Sequence, residues 1–432
     1  MFQTLKNAWK IMELRKKLLF TLLIVLLYRL GSQIPVPFVS ADVIGGINFV
    51  GILQYMDLMA GGALSQATLF ALSVSPYITA SIVIQLLCVA IPALERLSKE
   101  GEEGRKKISS LTRIVTVVLA LVTSYGYMKL LESGMGSGTS YLVKDAGVFA
   151  KIVIVASYCA GAALIMWLSE RINEYGIGNG ISIILFANIV SSVPKLLHGL
   201  WNMIVSTKYP LPVGILLGIL SVALTLAIVV LIVLVTDSER RIPIQYAKKV
   251  VGRKMYGGSN TNLPLKVNMS GVMPIIFASS IVSIPATIAA FFPNVKLFKW
   301  VNDYFSYDSW VYILIYLVLI VAFSYFYILI SFNTVETANN IQNNGGAIRG
   351  VRPGRPTVEF INKILNRVTL IGAIFLCFVA GLPLIINAVF RGNFTGIAFG
   401  GNSLLIVIGV ALETFRDLEA QITLRNYKGF LD

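Results

Sequence analysis

Uncharged, strongly apolar windows recur along the whole 432-residue chain. A helix needs about 20 mostly apolar residues to cross the hydrocarbon core of a bilayer, and windows of about that length occur ten times. We therefore predict an all-α polytopic membrane protein with ten transmembrane helices. The predicted spans cover residues 18–34, 70–91, 111–131, 148–168, 180–200, 212–236, 269–291, 310–332, 368–390 and 400–415.

Charged residues lie mainly between these windows, and they divide unequally between the two sides of the predicted membrane. The chain has 36 Lys and Arg against 21 Asp and Glu, which gives a formal net charge of +15. Segments on the side of the two termini contain 27 of the basic residues, and the alternate segments contain nine. Because basic loops are retained on the cytoplasmic side, we predict that both termini are cytoplasmic.

The span interiors lack the side chains that membrane enzymes and ion-coupled transporters use. Charged residues at membrane depth are costly and mark substrate or proton pathways, yet here they lie near span ends. Cys88, Cys159 and Cys377 lie in apolar runs without ligand spacing, and His198 is the sole histidine. We therefore predict no catalytic site, no metal site and no cofactor. A secondary transporter for a small solute and, more remotely, an intramembrane enzyme are the alternatives.

Ten spans divide into two groups of five, and an odd number of crossings inverts the second group relative to the first. Inverted repeats are a common plan in membrane proteins, with the working site where the repeats meet. The pattern permits two pseudo-symmetric halves, residues 1–205 and 206–432. The basic stretch 236–268, between spans six and seven, is the natural hinge on this pattern alone.

Uncharged polar residues concentrate in spans two and seven. Span two runs from Phe70 through Pro76 to Gln85, and span seven follows Asn268 and contains Pro274. Each proline removes one backbone donor and bends its helix. Two interpretations stay open: the polar residues hold neighbouring helices together, or the two helices form a seam that opens.

The segment between spans one and two is too apolar for a solvated loop, and Gly45–Gly46 and Gly61–Gly62 interrupt it. Non-spanning backbone at membrane depth is tolerated where protein surrounds it or where it lines a cavity. We predict that residues 54–65 form a short re-entrant helix in the external half of a cavity. An amphipathic helix lying on the membrane surface is the alternative.

Several motifs, in order along nearly the whole chain, resemble the SecY family, whose members form the central channel of the bacterial Sec protein-translocation complex. The resemblance implies that the hinge is the external connection near 201–211 rather than 236–268. Ser73 and Ser169 stand where the family usually has Gly, and because both side chains are small we expect little change in packing. The matching motifs are Pro76–Leu87, Lys99–Ile108, Trp167–Ser182, Leu263–Asn268, Val351–Thr357 and Arg425–Leu431.

The resemblance further implies a channel that narrows at a ring of aliphatic side chains and is closed externally by a plug. Hydrophobic constrictions gate by dewetting. A lateral gate between spans two and seven would include Gln85 and Asn268. The pore ring would consist of Ile78, Ile82, Ile181, Leu185, Ile276 and Ile406. The plug would consist of Gln54, Tyr55, Met56, Asp57, Leu58, Met59, Ala60, Gly61, Gly62, Ala63, Leu64 and Ser65.

The resemblance also implies partners. Arg253, Lys254 and Arg352, in the cytoplasmic docking loops 237–268 and 333–367, would bind the SecA motor ATPase or the ribosome, whose RNA is a polyanion. Other implied partners are SecE, SecG, signal sequences, unfolded secretory or membrane proteins and membrane lipids. The expected function is a passive protein-conducting channel in the bacterial plasma membrane, with energy supplied by SecA or by the translating ribosome.

Overall fold

The computed structural model describes residues 6, 8–40, 52–133, 141–143, 147–205, 211–246, 249–251, 254–256, 260–291, 309–389 and 400–428. Within these residues the protein is a helical bundle with two small antiparallel sheets. The helices are α1 (Met12–Gly31), α2 (Ile52–Met59), α3 (Ser75–Ala90), α4 (Pro92–Lys99), α5 (Glu102–Ser133), α6 (Val148–Tyr175), α7 (Gly180–Val205), α8 (Leu211–Asp237), α9 (Met273–Phe291), α10 (Trp310–Ser331), α11 (Thr334–Asn343), α12 (Arg355–Val389) and α13 (Gly400–Lys428). The strands are β1 (Glu239–Tyr246), β2 (Lys249–Val251), β3 (Lys254–Tyr256), β4 (Asn260–Lys266) and β5 (Gly346–Ile348).

Each of the ten predicted spans falls on a helix, namely α1, α3, α5 to α10, α12 and α13. Among the described residues, five helical stretches are long and apolar enough to cross a bilayer, or six if the bent pair α3 and α4 is one span. In α7 and α9 the apolar stretches Gly180–Pro194 and Met273–Pro285 are shorter. The helical character of all ten windows is confirmed, and their number as membrane crossings stays a prediction.

Span two is shorter than its hydropathy predicts. Its helix, α3, begins at Ser75 rather than at Phe70, with Pro76 in the first turn, where a missing backbone N–H costs nothing. Ser73 has a φ of 51°, and this left-handed conformation does not continue into a helix. At the other end the chain bends by 102° into α4, which begins with Pro92. Prolines and one left-handed residue therefore set the limits of α3.

The helices form two groups that meet along two seams. Within residues 1–205, α1, α3, α5, α6 and α7 pack on one another, and within residues 206–432 the same holds for α8, α9, α10, α12 and α13. α3 contacts α9 across one seam, and α7 contacts α8 and α13 across the other. This packing supports the predicted halves, which stay a prediction. Residues 206–210 of the proposed hinge lie outside the described residues.

The two loops predicted to dock partners, 237–268 and 333–367, share one sheet. β1 pairs antiparallel with β4 of its own loop and with β5 of the second loop, where Ile244 lies opposite Ile348. Both isoleucines pack with Ile242 and with Ile361 of α12 in a buried core of their own. Local hydropathy does not reveal pairing between strands this far apart in the chain. The two loops are therefore one folded unit, here called the docking unit.

Ser169 is small enough for its position, as expected. Its hydroxyl is nevertheless buried, and burying a polar atom has a free-energy cost that side-chain size does not reveal. The residue is fully buried in α6, and its Oγ has no hydrogen-bond partner among the described residues. Its carbonyl oxygen lies so close to Gly180 that a Cβ there would be 2.0 Å away. Gly180 therefore has no room for a side chain at this helix contact. The Ser169 hydroxyl has no partner there among the described residues.

Replacing Ser169 by Ala is therefore expected to stabilise the protein by about 1 kcal/mol, because an unsatisfied buried hydroxyl costs about 1–3 kcal/mol. Thermal unfolding in detergent should show a higher midpoint than for the parent chain. Ser324→Ala is the matched control, because the Ser324 Oγ is also buried but donates to the Ile320 carbonyl at 2.7 Å. A midpoint that falls for Ser169→Ala as it does for the control would contradict the prediction.

Candidate functional site

Aliphatic side chains from four helices meet around a cavity of about 50 Å³. Ile78 comes from α3, Leu185 from α7, Ile276 from α9 and Ile406 from α13, and none is more than 6% exposed. All four were predicted as pore-ring residues, and the structure brings them together where the two helix groups meet. The rest of the wall consists of Met56, Met59, Ser75, Thr79, Ser279, Ser280 and Ser283.

Ile82 and Ile181, the other two predicted ring residues, do not line this cavity. Ile82 lies one turn beyond Ile78 in α3 and is 1% exposed in the same core. Ile181 is partly buried one turn before Leu185 in α7, and it packs against that core. Residues four apart share one face of a helix. Both isoleucines therefore extend the aliphatic surface on the side away from Met56 and Met59.

The predicted plug segment is a short helix followed by turns. The helix, α2, ends at Met59 rather than at Ser65. Gly61 and Gly62 have φ values of 67° and 86°, and left-handed backbone of this kind ends a helix. Residues 62–65 are buried, and α2 contacts α7 and α9. A helix lying on the membrane surface, the alternative for this segment, is therefore wrong.

Hydrogen bonds fix the turns after α2. The Ser65 backbone N–H donates to Asp57 Oδ1 at 2.7 Å, and the Gly62 N–H donates to the Asp57 carbonyl at 2.8 Å. From outside the segment, the Tyr127 hydroxyl of α5 donates to the Leu64 carbonyl at 2.5 Å. The plug segment is therefore part of the folded interior.

The two predicted lateral-gate amides each bond within their own segment. Gln85 Nε2 donates to Ser81 Oγ in α3 at 3.3 Å. Asn268, which precedes α9 and is 7% exposed, accepts at Oδ1 from Ser270 Oγ at 3.4 Å. α3 and α9 nevertheless pack against each other. The predicted seam is thus present as a helix contact, with its polar side chains satisfied locally.

Asn268 also lines a second cavity, of about 170 Å³, among α8, α13 and the segment that precedes α9. Arg416 of α13 donates to Asp237 Oδ1 at 2.5 Å and to the Thr236 carbonyl at 2.8 Å, both at the end of α8. Partial desolvation and the nearby Arg416 guanidinium lower the pKa of Lys266. These contacts join α13 to the end of α8, which directly precedes β1 of the docking unit, next to the predicted gate.

Arg352 lies exposed in the turn between β5 and α12. Gly350 and Gly354 flank it with φ values of 81° and 96°, which glycine adopts without steric cost. Lys254 begins β3 of the first loop, and Arg253 lies outside the described residues. The structure therefore presents the Arg352 side chain to solvent from a tightly folded turn.

Two polar features were missed by the sequence analysis. Arg113 of α5 forms a two-pronged ion pair with Glu170 of α6, with a distance of 2.9 Å at each contact. Asn188 of α7 is fully buried and bonds to the plug segment. Asn188 had a usable signal, because it follows Leu185 by three residues and so shares its helix face. The ion pair joins residues 57 apart and had no local signal.

Comparison with known sequences gives one consistent result. The sequence profile of the SecY family matches residues 68–415. The chain is 44% identical to protein translocase subunit SecY of Streptomyces griseus, over an alignment that covers all of both chains. It is 41% identical to the same subunit of Bacillus subtilis strain 168, again over all of both chains.

Comparison with solved structures shows the fold. A structure described as a protein conducting channel superposes with a TM-score of 0.69 at 16% identity, covering 94% of this chain and 92% of that one. At the same coverages, a SecY structure whose plug domain stabilises the closed state of the channel gives 0.64 at 17% identity. Sec61 in a canine ribosome–channel complex gives 0.65 at 15% identity, also at these coverages. With the profile match and the end-to-end sequence identity, these likenesses establish that the chain belongs to the SecY family.

Proposed function

We propose that this chain is the protein-conducting channel of a Sec translocase. Unfolded secretory proteins would cross the membrane through it, and signal sequences and membrane segments would leave it sideways into lipid. The observation that carries the proposal is the meeting of four aliphatic side chains, from both helix groups, around a small cavity that α2 closes on one side. Membership of the SecY family supports it.

An aliphatic constriction suits such a channel for a physical reason. Isoleucine and leucine side chains offer no ligands to ions, and a narrow apolar passage excludes water and therefore blocks ions. The same side chains form no hydrogen bonds with a passing polypeptide, so they tolerate any sequence. We include Ile82 and Ile181 in this ring because they continue its surface along α3 and α7.

The size of the cavity weighs against a carrier for small solutes. Sites for small molecules usually enclose roughly 300–1,000 Å³ and contain a few convergent polar groups. The cavity beside the four aliphatic residues has about 50 Å³. A closed channel accounts for this small volume. Relatives named protein translocase subunit SecY support a channel rather than an enzyme or a carrier.

The seam between α3 and α9 is the proposed lateral gate. Its polar side chains, Gln85 and Asn268, are hydrogen-bonded within their own segments, so opening the seam breaks neither of these bonds. The halves 1–205 and 206–432 would separate there while remaining joined through the external connection near 201–211.

Partners supply the energy in this proposal. The docking unit presents Arg352 on the side of the predicted cytoplasmic termini, and Arg253 and Lys254 belong to the same loops. A ribosome or SecA would dock there, and ribosomal RNA attracts Lys and Arg. The ribosome-bound Sec61 neighbour supports a ribosome as one partner. SecE and SecG are the proposed further subunits, and the bacterial plasma membrane is the proposed location.

Reconstitution tests the function directly. The full chain would be placed in lipid vesicles with SecE, SecG and SecA, and a presecretory protein would be added with ATP. We expect substrate that is protected from external protease only in vesicles that contain the chain. No protected substrate at any ATP concentration, from vesicles in which the chain is folded, would overturn the proposal.

A further inference from the structure

A buried amide is bonded to the end of the plug helix. Asn188 of α7 is 0% exposed, and its Nδ2 donates to the Met59 carbonyl at 2.8 Å and to Ser73 Oγ at 3.2 Å. Ser73 Oγ in turn donates to the same carbonyl at 3.5 Å. The last carbonyls of a helix have no partner within it, and here two side chains from outside α2 satisfy the final one.

The carbonyls of α2 that precede Met59 accept hydrogen bonds from the turn that follows the helix, not from other helices. The backbone N–H groups of Gly61 and Gly62 donate to the carbonyls of Leu58 and Asp57 at 3.0 and 2.8 Å. Met59 is thus the point at which the end of α2 is hydrogen-bonded to α7. A change at Asn188 affects this attachment and leaves the turn itself intact.

The polar atoms that surround the end of α2 are not all hydrogen-bonded. A Cβ on Gly61 would lie 2.9 Å from Arg29 Nη1 and 3.1 Å from Asn188 Oδ1. Arg29 Nη1 is buried without a hydrogen-bond partner among the described residues, and most buried polar atoms in proteins have one. Ser73 adds a left-handed φ of 51°. A buried guanidinium nitrogen and a left-handed serine therefore lie at the same contact as the bonds to Met59.

The segment after Gly62 has hydrogen bonds of its own to the surrounding helices. The Tyr127 hydroxyl donates to the Leu64 carbonyl at 2.5 Å, and the Tyr158 hydroxyl donates to the Ala67 carbonyl at 3.3 Å. Gly61 and Gly62 lie between these bonds and the attachment at Met59. Motion of α2 about the two glycines requires release of Asn188 and of the bonds that Asp57 accepts from Ser65 and Gly62. It leaves both tyrosine bonds in place.

We propose that Asn188 is a positioning residue that latches the plug helix in the closed channel through Met59 and Ser73, and that this latch sets how strong a signal sequence must be to open it. The inference rests on the proposed function for its second part. Its first part, the latch, is measurable without any substrate.

The test measures exposure of the plug in the full-length chain in right-side-out membrane vesicles. Cys88, Cys159 and Cys377 are replaced by Ala, and Met59→Cys provides a thiol while keeping the backbone carbonyl. A membrane-impermeant maleimide is added outside. Asn188→Leu is expected to raise the alkylation rate roughly fivefold, the effect of losing one net hydrogen bond. Ser192→Ala is the matched control, because Ser192 is buried one turn further along α7 and its Oγ donates to the Asn188 carbonyl at 3.4 Å.

A second variant keeps the test decisive if Asn188→Leu does not fold. Ser73→Gly accepts the left-handed backbone and removes the hydroxyl, so we expect a rise of roughly twofold. Equal alkylation in the parent and in every folded latch variant would overturn the latch. Faster alkylation with no protein transport by the parent chain would uphold the latch and overturn the proposed function. Faster alkylation without improved transport of a substrate with a defective signal sequence would overturn the role in signal selection.

Discussion

Replacing Ile276 by Asn is expected to raise the ion conductance of the resting channel by roughly tenfold, since a buried amide without full hydrogen bonding costs about 1–3 kcal/mol and each 1.4 kcal/mol is a factor of ten. Ile276 is 4% exposed and lines the cavity between the two helix groups. An amide there favours water in the constriction and thereby weakens the seal. The same variant should transport substrates with defective signal sequences better than the parent chain.

Conductance across a planar bilayer measures the leak, and a vesicle transport assay measures signal selection. Ile284→Asn is the matched control, because Ile284 lies two turns further along α9 and is 37% exposed. Ile406→Asn places the same amide on α13 at the same cavity and should reproduce the effect. Unchanged leak and unchanged signal selection in both ring variants would show that these residues do not form the constriction.

The positions of the helices could be predicted because hydropathy is a local property. Each uncharged window is long enough to force its own backbone groups into internal hydrogen bonds, and a helix is found at every one. The ring residues followed from the resemblance rather than from their pattern. Isoleucines at a spacing of four are also typical of an ordinary core, so the spacing alone does not identify a pore ring.

The features that sequence analysis missed depend on contacts between distant residues. The docking unit needs β1 and β5 to meet, and the ion pair needs Arg113 to face Glu170. The early end of α2 depends on the backbone conformation of Gly61 and Gly62. Ser73 had been judged by size alone, whereas its left-handed φ gives a backbone reason for glycine at that position. In each case the missing information was geometric.

The docking unit connects the proposed partner surface to the proposed gate. The Val267 N–H donates to the Ser238 carbonyl at 2.9 Å, so the end of β4 is fixed to the start of β1. Gly372 of α12 packs on Val267, where a Cβ would lie 2.6 Å from its carbonyl oxygen. Asn268 follows directly and leads into α9. If a partner displaces this sheet, we expect the displacement to reach one wall of the seam through this short connection.

Reversing the charge at Arg352 is expected to reduce SecA-driven transport at least roughly tenfold, because like charges facing each other across an interface cost several kcal/mol. Arg352→Glu should leave folding intact, since the side chain is exposed and what the turn uses is its carbonyl, which accepts from Thr357 Oγ1 at 2.9 Å. Initial transport rates in vesicles measure the effect. Arg105→Glu, an exposed reversal at the start of α5, controls for loss of cytoplasmic positive charge. Equal losses in the two variants would mean that Arg352 acts only through net charge, and dissociation of SecE from Arg352→Glu would reveal a structural role instead.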